Sequence, residues 1–222
     1  MLVRVKICCI STIEEAEMAI RKGASAIGLV SAMPSGPGVI SDQRISEIAK
    51  LVPPGVSSFL LTGERDVPSI VEQHRRARTT TIQICDRLEH GGYTDLREAM
   101  PGIGIVQVVH VRGPESVSEA IGVAPHVDGI LLDSGNRSLP VKELGGTGRV
   151  HDWNISRRIR EQVRVPVYLA GGLNAENVFD AIAAVRPFGV DVCSGVRTDG
   201  KLDEGKLADL FDQVAAANSR LL

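Results

Sequence analysis

Short runs rich in β-branched residues alternate along the chain with segments whose apolar positions recur every three to four residues. Strand-like runs fall near 2–9, 24–31, 56–61, 79–85, 104–111, 127–133, 165–170 and 189–193. Helix-like segments fall near 12–22, 42–51, 67–77, 93–100, 115–122, 152–163, 175–185 and 203–217. Several helices announce their starts. "STIEEAEMAI", "SDQRISEIAKL" and "NAENVFDAI" each place a capping side chain ahead of an acidic residue and an apolar stripe. Strands that alternate with helices imply a parallel sheet. Eight such units in 222 residues, a little under the roughly 250 typical of the architecture, predict a closed (β/α)8 barrel. The weakest helical pattern is the fourth, in "DRLEHGGYTDLREAM". A doubly wound open sheet is the alternative, but no strand is followed by G-x-G-x-x-G. With no Pro/Gly linker to divide it, the chain reads as one domain, 1–222.

In such a barrel the chemistry sits at the C-terminal ends of the strands. The first run, "LVRVKICC", alternates Val3, Val5 and Ile7 with Arg4, Lys6 and Cys8. Side chains on a strand alternate between faces, so Cys8 is expected to share a face with two basic residues and Cys9 to lie on the apolar one. A free cysteine taken alone is usually a small packing residue. A thiol near cations is more easily ionised, so Cys8 is the candidate for chemistry and Cys9 for packing. The sixth run, "VDGILLDSG", ends in Asp133, where a turn or cap is as good a reading as catalysis. "AGGLNAENV" offers the amides of Gly171 and Gly172 and a helix start at Asn174. "CSGVRTDG" offers Ser194 and Gly195. Two glycine-bearing loops in adjacent units predict a phosphate site. Between them "ELGGTGRVHDW" carries glycines around 145–148, suited either to a lid or to plain turns.

Composition narrows the partners. The chain is 43% hydrophobic and 23% charged, with a net charge of -2. No basic excess points to nucleic acid, and no apolar run approaches the roughly 20 residues that span a bilayer. The start of the chain lacks signal-peptide features. Cys8, Cys9, Cys85 and Cys193 form neither a disulfide framework nor a zinc motif, so no metal is expected and a reducing, cytoplasmic setting fits best.

The blocks "VRVKIC", "GASAIGLV", "LLD" with "GGTG" and "DW", "LAGGLNAENV" and "GVDVCSGV" occur in order along nearly the whole chain. Together they resemble phosphoribosylanthranilate isomerase. The resemblance implies a single (β/α)8 barrel that converts N-(5-phosphoribosyl)anthranilate into the 1-deoxyribulose phosphate by an Amadori rearrangement in tryptophan biosynthesis, without a cofactor; the sequence leaves monomer and homodimer both open. It places the general base on Cys8 and the general acid on Asp133. The substrate phosphate falls at Gly171, Gly172, Asn174, Ser194 and Gly195, with Asp191 close to the substrate. A general acid of this kind is expected to have a raised pKa.

Three blocks depart from the family pattern. Cys9 stands where the family has glycine, Gly38 where it has an arginine that helps hold the anionic substrate, and "QICD" where it has Q-L-H-G. Arg112 or Arg137 is then expected to reach the substrate carboxylate. Alternatives are an isomerase or lyase for another phosphorylated sugar amine, and a non-catalytic sugar-phosphate-binding barrel.

Overall fold

In the computed structural model, which describes residues 2–146 and 148–221, eight parallel strands close on themselves. They are β1 (Arg4–Ile7), β2 (Ala26–Val30), β3 (Ser57–Thr62), β4 (Thr81–Ile84), β5 (Gly104–His110), β6 (Gly129–Asp133), β7 (Val167–Leu169) and β8 (Gly189–Val192). Each strand pairs with the next in sequence, and β8 returns to β1 with Arg4 opposite Gly189 and Ile7 opposite Val192. Between and after them run α1 (Ile13–Arg21), α2 (Asp42–Ala49), α3 (Val67–Ala77), α4 (Tyr93–Ala99), α5 (Glu115–Val123), α6 (Trp153–Gln162), α7 (Val178–Val185) and α8 (Glu204–Leu221). Two of the three suggested caps act as read, the side chains of Thr12 and Ser41 accepting from the amides of Glu15 and Arg44, whereas α7 has Asn177 at its N-cap with no side-chain cap bond. Asp66, not foreseen, accepts from the Ser69 amide ahead of α3. The weakly patterned fourth helix is the shortest, at 7 residues. A small hairpin of β9 (Arg197–Thr198) and β10 (Lys201–Leu202), preceded by a 3-10 turn at Ser194–Val196, was not legible as an element.

Strand alternation sorts the core into two shells. Ile7, Ile27, Leu60, Ile82, Val109, Ile130, Leu132 and Val190 face the helices, each with almost no exposed surface. Burial of such a side chain is worth roughly 1.5–3 kcal/mol. Ala26, Phe59, Leu61, Val106, Val108 and Leu131 instead fill the barrel interior. Lys6 lies among them, fully buried, with Nζ 2.8 Å from Asp191 Oδ1 and 5.3 Å from the centre of the Phe59 ring. This ion pair fastens the first strand to the last. At the chain ends the Val3 amide donates to Asn218 Oδ1 at 2.7 Å, and Asn218 Nδ2 returns a bond to the Val3 carbonyl at 3.2 Å. No helix among the described residues is long and apolar enough to cross a membrane.

Removing one member of a buried ion pair strands the other charge. Lys6→Met is therefore expected to destabilise the chain by about 3–5 kcal/mol in urea denaturation, and Lys6→Met/Asp191→Leu to recover most of that loss.

Candidate active site

The C-terminal mouth of the barrel opens into a cavity that, with the open solvent at its entrance, holds about 670 Å³ of empty space. Cys8 and Asp133 both line it, as do Asp191, Gln83 and Cys85, so the inward positions of β1, β4, β6 and β8 or their continuations converge on one space. The alternation that separated Cys8 from Ile7 holds. Arg4, however, lies outside the site at the opposite end of β1, stacked 4.3 Å from the centre of the Phe188 ring.

Cys8 and Lys6 are neighbours because residue 28 on β2 has no side chain. A Cβ at Gly28 would stand 2.8 Å from Cys8 Sγ and 3.0 Å from Lys6 Nζ. Burial alone would strip the proton from Lys6, but the Asp191 carboxylate, with smaller help from the Cys8 sulfur, holds it above its ordinary value. A fixed positive charge therefore lies beside the Cys8 thiol. Asp133 is 7% exposed, and burial pushes its carboxyl up to about 6, against the Ser134 amide that donates to Oδ1 at 2.7 Å. Asp191 raises it further and Lys6 opposes the rise. A carboxyl held in this range suits proton donation near neutral pH.

Gly171, Gly172 and Ser194 line the cavity, on the loops that follow β7 and β8. Asn174 and Gly195 stand outside the lining. The Asn174 side chain accepts from the amides of Glu176 and Asn177 and so shapes the turn into α7. Gly195 lets the two loops pack together, since a Cβ there would strike the Leu173 carbonyl. His151 packs behind this region, with Nε2 2.7 Å from Ser156 Oγ. Burial pushes its imidazole down to about 4, so it is neutral at physiological pH.

Two expectations are corrected. Cys9 does not lie on the apolar face of a strand: it adopts φ 60, beyond the end of β1, and lines the cavity. Alternation assumes an extended backbone, and here the chain turns. The Arg197 guanidinium fixes the turn, donating to the Cys9 carbonyl at 2.6 Å while pairing with Glu15 at 2.7 Å. Nor does Arg112 or Arg137 reach the site. Arg112 donates to Asn136 and Ser138 on an exposed loop, and Arg137 pairs with Glu119. Neither lines the cavity, and no lysine or arginine among the described residues does.

Contacts between loops hold the mouth together. Asp86 draws Lys142 and Arg65 onto β4's continuation, which anchors the loop after β6. Ser35 Oγ donates to the Lys142 carbonyl at 2.5 Å and joins the loop after β2 to the same anchor. Gly145, Gly146 and Gly148 line the cavity, while Thr147 of the same stretch lies outside the described residues.

The exchange at positions 9 and 38 has a steric cause. Gly38 has φ 78, and a Cβ there would sit 2.5 Å from Cys9 Cβ. A side chain at 9 therefore excludes one at 38. Gly38→Arg alone is expected to lower stability and activity. Cys9→Gly/Gly38→Arg removes the Cβ clash but leaves the left-handed strain at 38 and a Cβ 3.0 Å from the residue 9 Cα. It should therefore regain part of the stability and bind an anionic aglycone more tightly than Gly38→Arg, read as a lower KM. Cys9→Gly alone should be tolerated, because relief of about 1–2 kcal/mol of left-handed strain offsets the lost thiol packing.

These features meet in one family. The family model for N-(5'-phosphoribosyl)anthranilate (PRA) isomerase matches residues 5–213. N-(5'-phosphoribosyl)anthranilate isomerase 2 of Methanosarcina mazei is 36% identical over 206 residues, covering 92% of this chain and 90% of that protein. The crystal structure of phosphoribosyl anthranilate isomerase from Thermotoga maritima superposes with a TM-score of 0.81 at 29% identity, covering 97% of this chain and all of that one. A phosphoribosyl anthranilate isomerase solved with reduced 1-(o-carboxyphenylamino)-1-deoxyribulose 5-phosphate gives 0.78 at 28% identity, with coverage of 97% and 100%. With a closed barrel, a buried acid and a thiol at its mouth, and a match along nearly its whole length, this chain belongs to the N-(5'-phosphoribosyl)anthranilate isomerase family.

Proposed function

We propose that the chain isomerises N-(5'-phosphoribosyl)anthranilate to 1-(o-carboxyphenylamino)-1-deoxyribulose 5-phosphate, with Asp133 as general acid and Cys8 as general base. The observation that carries this reading is the convergence of Asp133, at about 6, and Cys8, beside a buried ammonium, on one cavity bounded by glycine loops. Asp133 gives its proton to the ring oxygen of the ribose, which opens the sugar and leaves an iminium. The Cys8 thiolate then takes the proton from C2, and the enolamine formed tautomerises to the ketone. Both steps move protons within one molecule, so they need no electron acceptor. Gly171, Gly172 and Ser194 supply the phosphate end, where open amides favour an anion.

The aglycone end differs from the family pattern, since no lysine or arginine among the described residues lines the cavity. The substrate carboxylate then takes its hydrogen bonds from neutral donors at the mouth, such as the amides of Gly145 and Gly146, at some cost in affinity. The same observation favours a second reading, in which the same acid and base isomerise a phosphorylated sugar amine whose aglycone carries no carboxylate.

The test is turnover of freshly made phosphoribosylanthranilate by the purified chain, with complementation of a tryptophan auxotroph lacking this step. Turnover and growth support the first reading. Their absence, with isomerisation of a neutral aryl or alkyl ribosylamine 5-phosphate, would move the assignment to the second. Because the acid must be protonated, kcat/KM should fall as pH is raised through about 6.

A further inference from the structure

The register that closes the barrel also brings two spare thiols together. β1 and β8 run parallel with Ile7 opposite Val192, and the Cys8 amide donates to the Val192 carbonyl at 2.8 Å. The chain therefore leaves these two strands at Cys8 and Cys193 side by side. Cys9 follows in a left-handed turn and lines the same cavity as Cys8 and Cys193, near enough for the three thiols to influence one another. Cys9 is buried while Cys193 is half-buried, and both line the cavity, so a small solute entering the mouth reaches Cys193. The isomerisation assigns neither thiol a role.

We infer that Cys193 and Cys9 are an oxidisable pair, which a hydroperoxide converts into a disulfide that shuts the site and a dithiol reopens. The two thiols are unequal in the required sense. The Cys9 thiol, and behind it the Arg197 guanidinium, hold Cys193 below the ordinary thiol value despite its burial, whereas contact with Cys193 and Cys8 raises Cys9. An accessible, more acidic thiol beside a second thiol is the arrangement in which sulfenic acid forms and is resolved. The Cys193 thiolate attacks one peroxide oxygen; the S–O bond forms, the O–O bond breaks, and hydroxide leaves with the proton that Cys193 had released, as water. Cys9 sulfur then attacks the sulfenic sulfur, displacing hydroxide, which takes the Cys9 proton and leaves as a second water. Two thiols are oxidised by two electrons and one peroxide is reduced. The new bond joins the residue that follows Cys8 to the residue that precedes Ser194, so it displaces both the base and the phosphate loop.

The experiment treats the fully reduced chain with hydrogen peroxide, maps disulfides by mass spectrometry of non-reduced peptides, and follows isomerase activity before and after dithiothreitol. A Cys9–Cys193 disulfide that accumulates as activity is lost, with both reversed by dithiothreitol, is the expected result. Cys9→Gly should form no disulfide and should progress at Cys193 to sulfinic acid, so that dithiothreitol no longer restores activity. Cys193→Ser should lose the disulfide as well. Oxidation of Cys8 ahead of Cys193, a disulfide involving Cys8, or no disulfide would each overturn the proposal. A Cys9–Cys193 bond that leaves activity intact would overturn the closing role. The disulfide is read by mass, so it stands or falls independently of which sugar amine the enzyme isomerises.

Discussion

Asp133→Asn is expected to lower kcat/KM by ~10²–10⁴-fold, the usual contribution of a positioned acid, and at the same time to stabilise the fold. The sign follows from burial. Asp133 rises from 3.8 to about 6 on folding, so the folded chain prefers the protonated form. Well below pH 3.8 the carboxyl is protonated in both states and carries no penalty. As pH rises from the unfolded value through about 6, ionisation costs progressively more in the folded state, and the cost then levels off near ~3 kcal/mol. An amide keeps the acceptor that receives the Ser134 amide and carries no charge to bury. Urea denaturation should therefore show the variant more stable than the parent at pH 8, with the two converging below about pH 3. A variant that is less stable at pH 8, or that keeps more than about a tenth of the parent activity, would reassign Asp133 to a structural role. Function here opposes stability at a single residue.

Cys8→Ala carries the second large effect: a loss of ~10²–10⁴-fold in kcat, with binding of reduced 1-(o-carboxyphenylamino)-1-deoxyribulose 5-phosphate kept within a few-fold. Cys8→Ser sharpens the test. The hydroxyl is nearly isosteric and preserves packing beside Lys6, but it is far too weak an acid to be present as the anion at neutral pH. If sulfur acts only as filler, the serine variant keeps its activity and only alanine suffers. If it is the base, both lose it together. Calorimetric titration of the product analogue into each variant separates chemistry from a disordered pocket.

The barrel was legible because its two periodicities are strong: eight β-branched runs and eight amphipathic segments leave little choice of architecture. Cys8 and Asp133 were legible for different reasons. Asp133 stood only as the polar end of an apolar run, and it was the resemblance that set it apart from a turn or cap, whereas alternation along the first run sends Cys8 inward. Parity failed one residue later, at Cys9, where Arg197 holds the carbonyl and the backbone turns left-handed. Arg197 lies in a hairpin 188 positions along the chain, and no local pattern signals that distant hold. Arg112 and Arg137 were misplaced for a different reason. Position after a strand fixes which end of the barrel a side chain occupies but not its partner, and Glu119 on the intervening helix takes Arg137. The pairing of Cys9 with Gly38 was visible only as two separate departures from the family. It becomes one feature once the Cβ positions are known to collide.

The seam between β1 and β8 also bears on how the protein is made. In order of synthesis Lys6 and Cys8 come long before the Asp191 that neutralises Lys6, which arrives 185 residues later. Asn218, which clasps the first residues, comes later still. Until β8 is made the first strand has one neighbour and an unpaired ammonium on its inner face, so the thiol base has no finished pocket and closure must await the last strand. The two ends finish side by side. A circular permutant that joins them by a short linker and opens the chain in an exposed loop on the far side of the barrel would make the seam local in sequence, and it should close the ring faster than the natural order does.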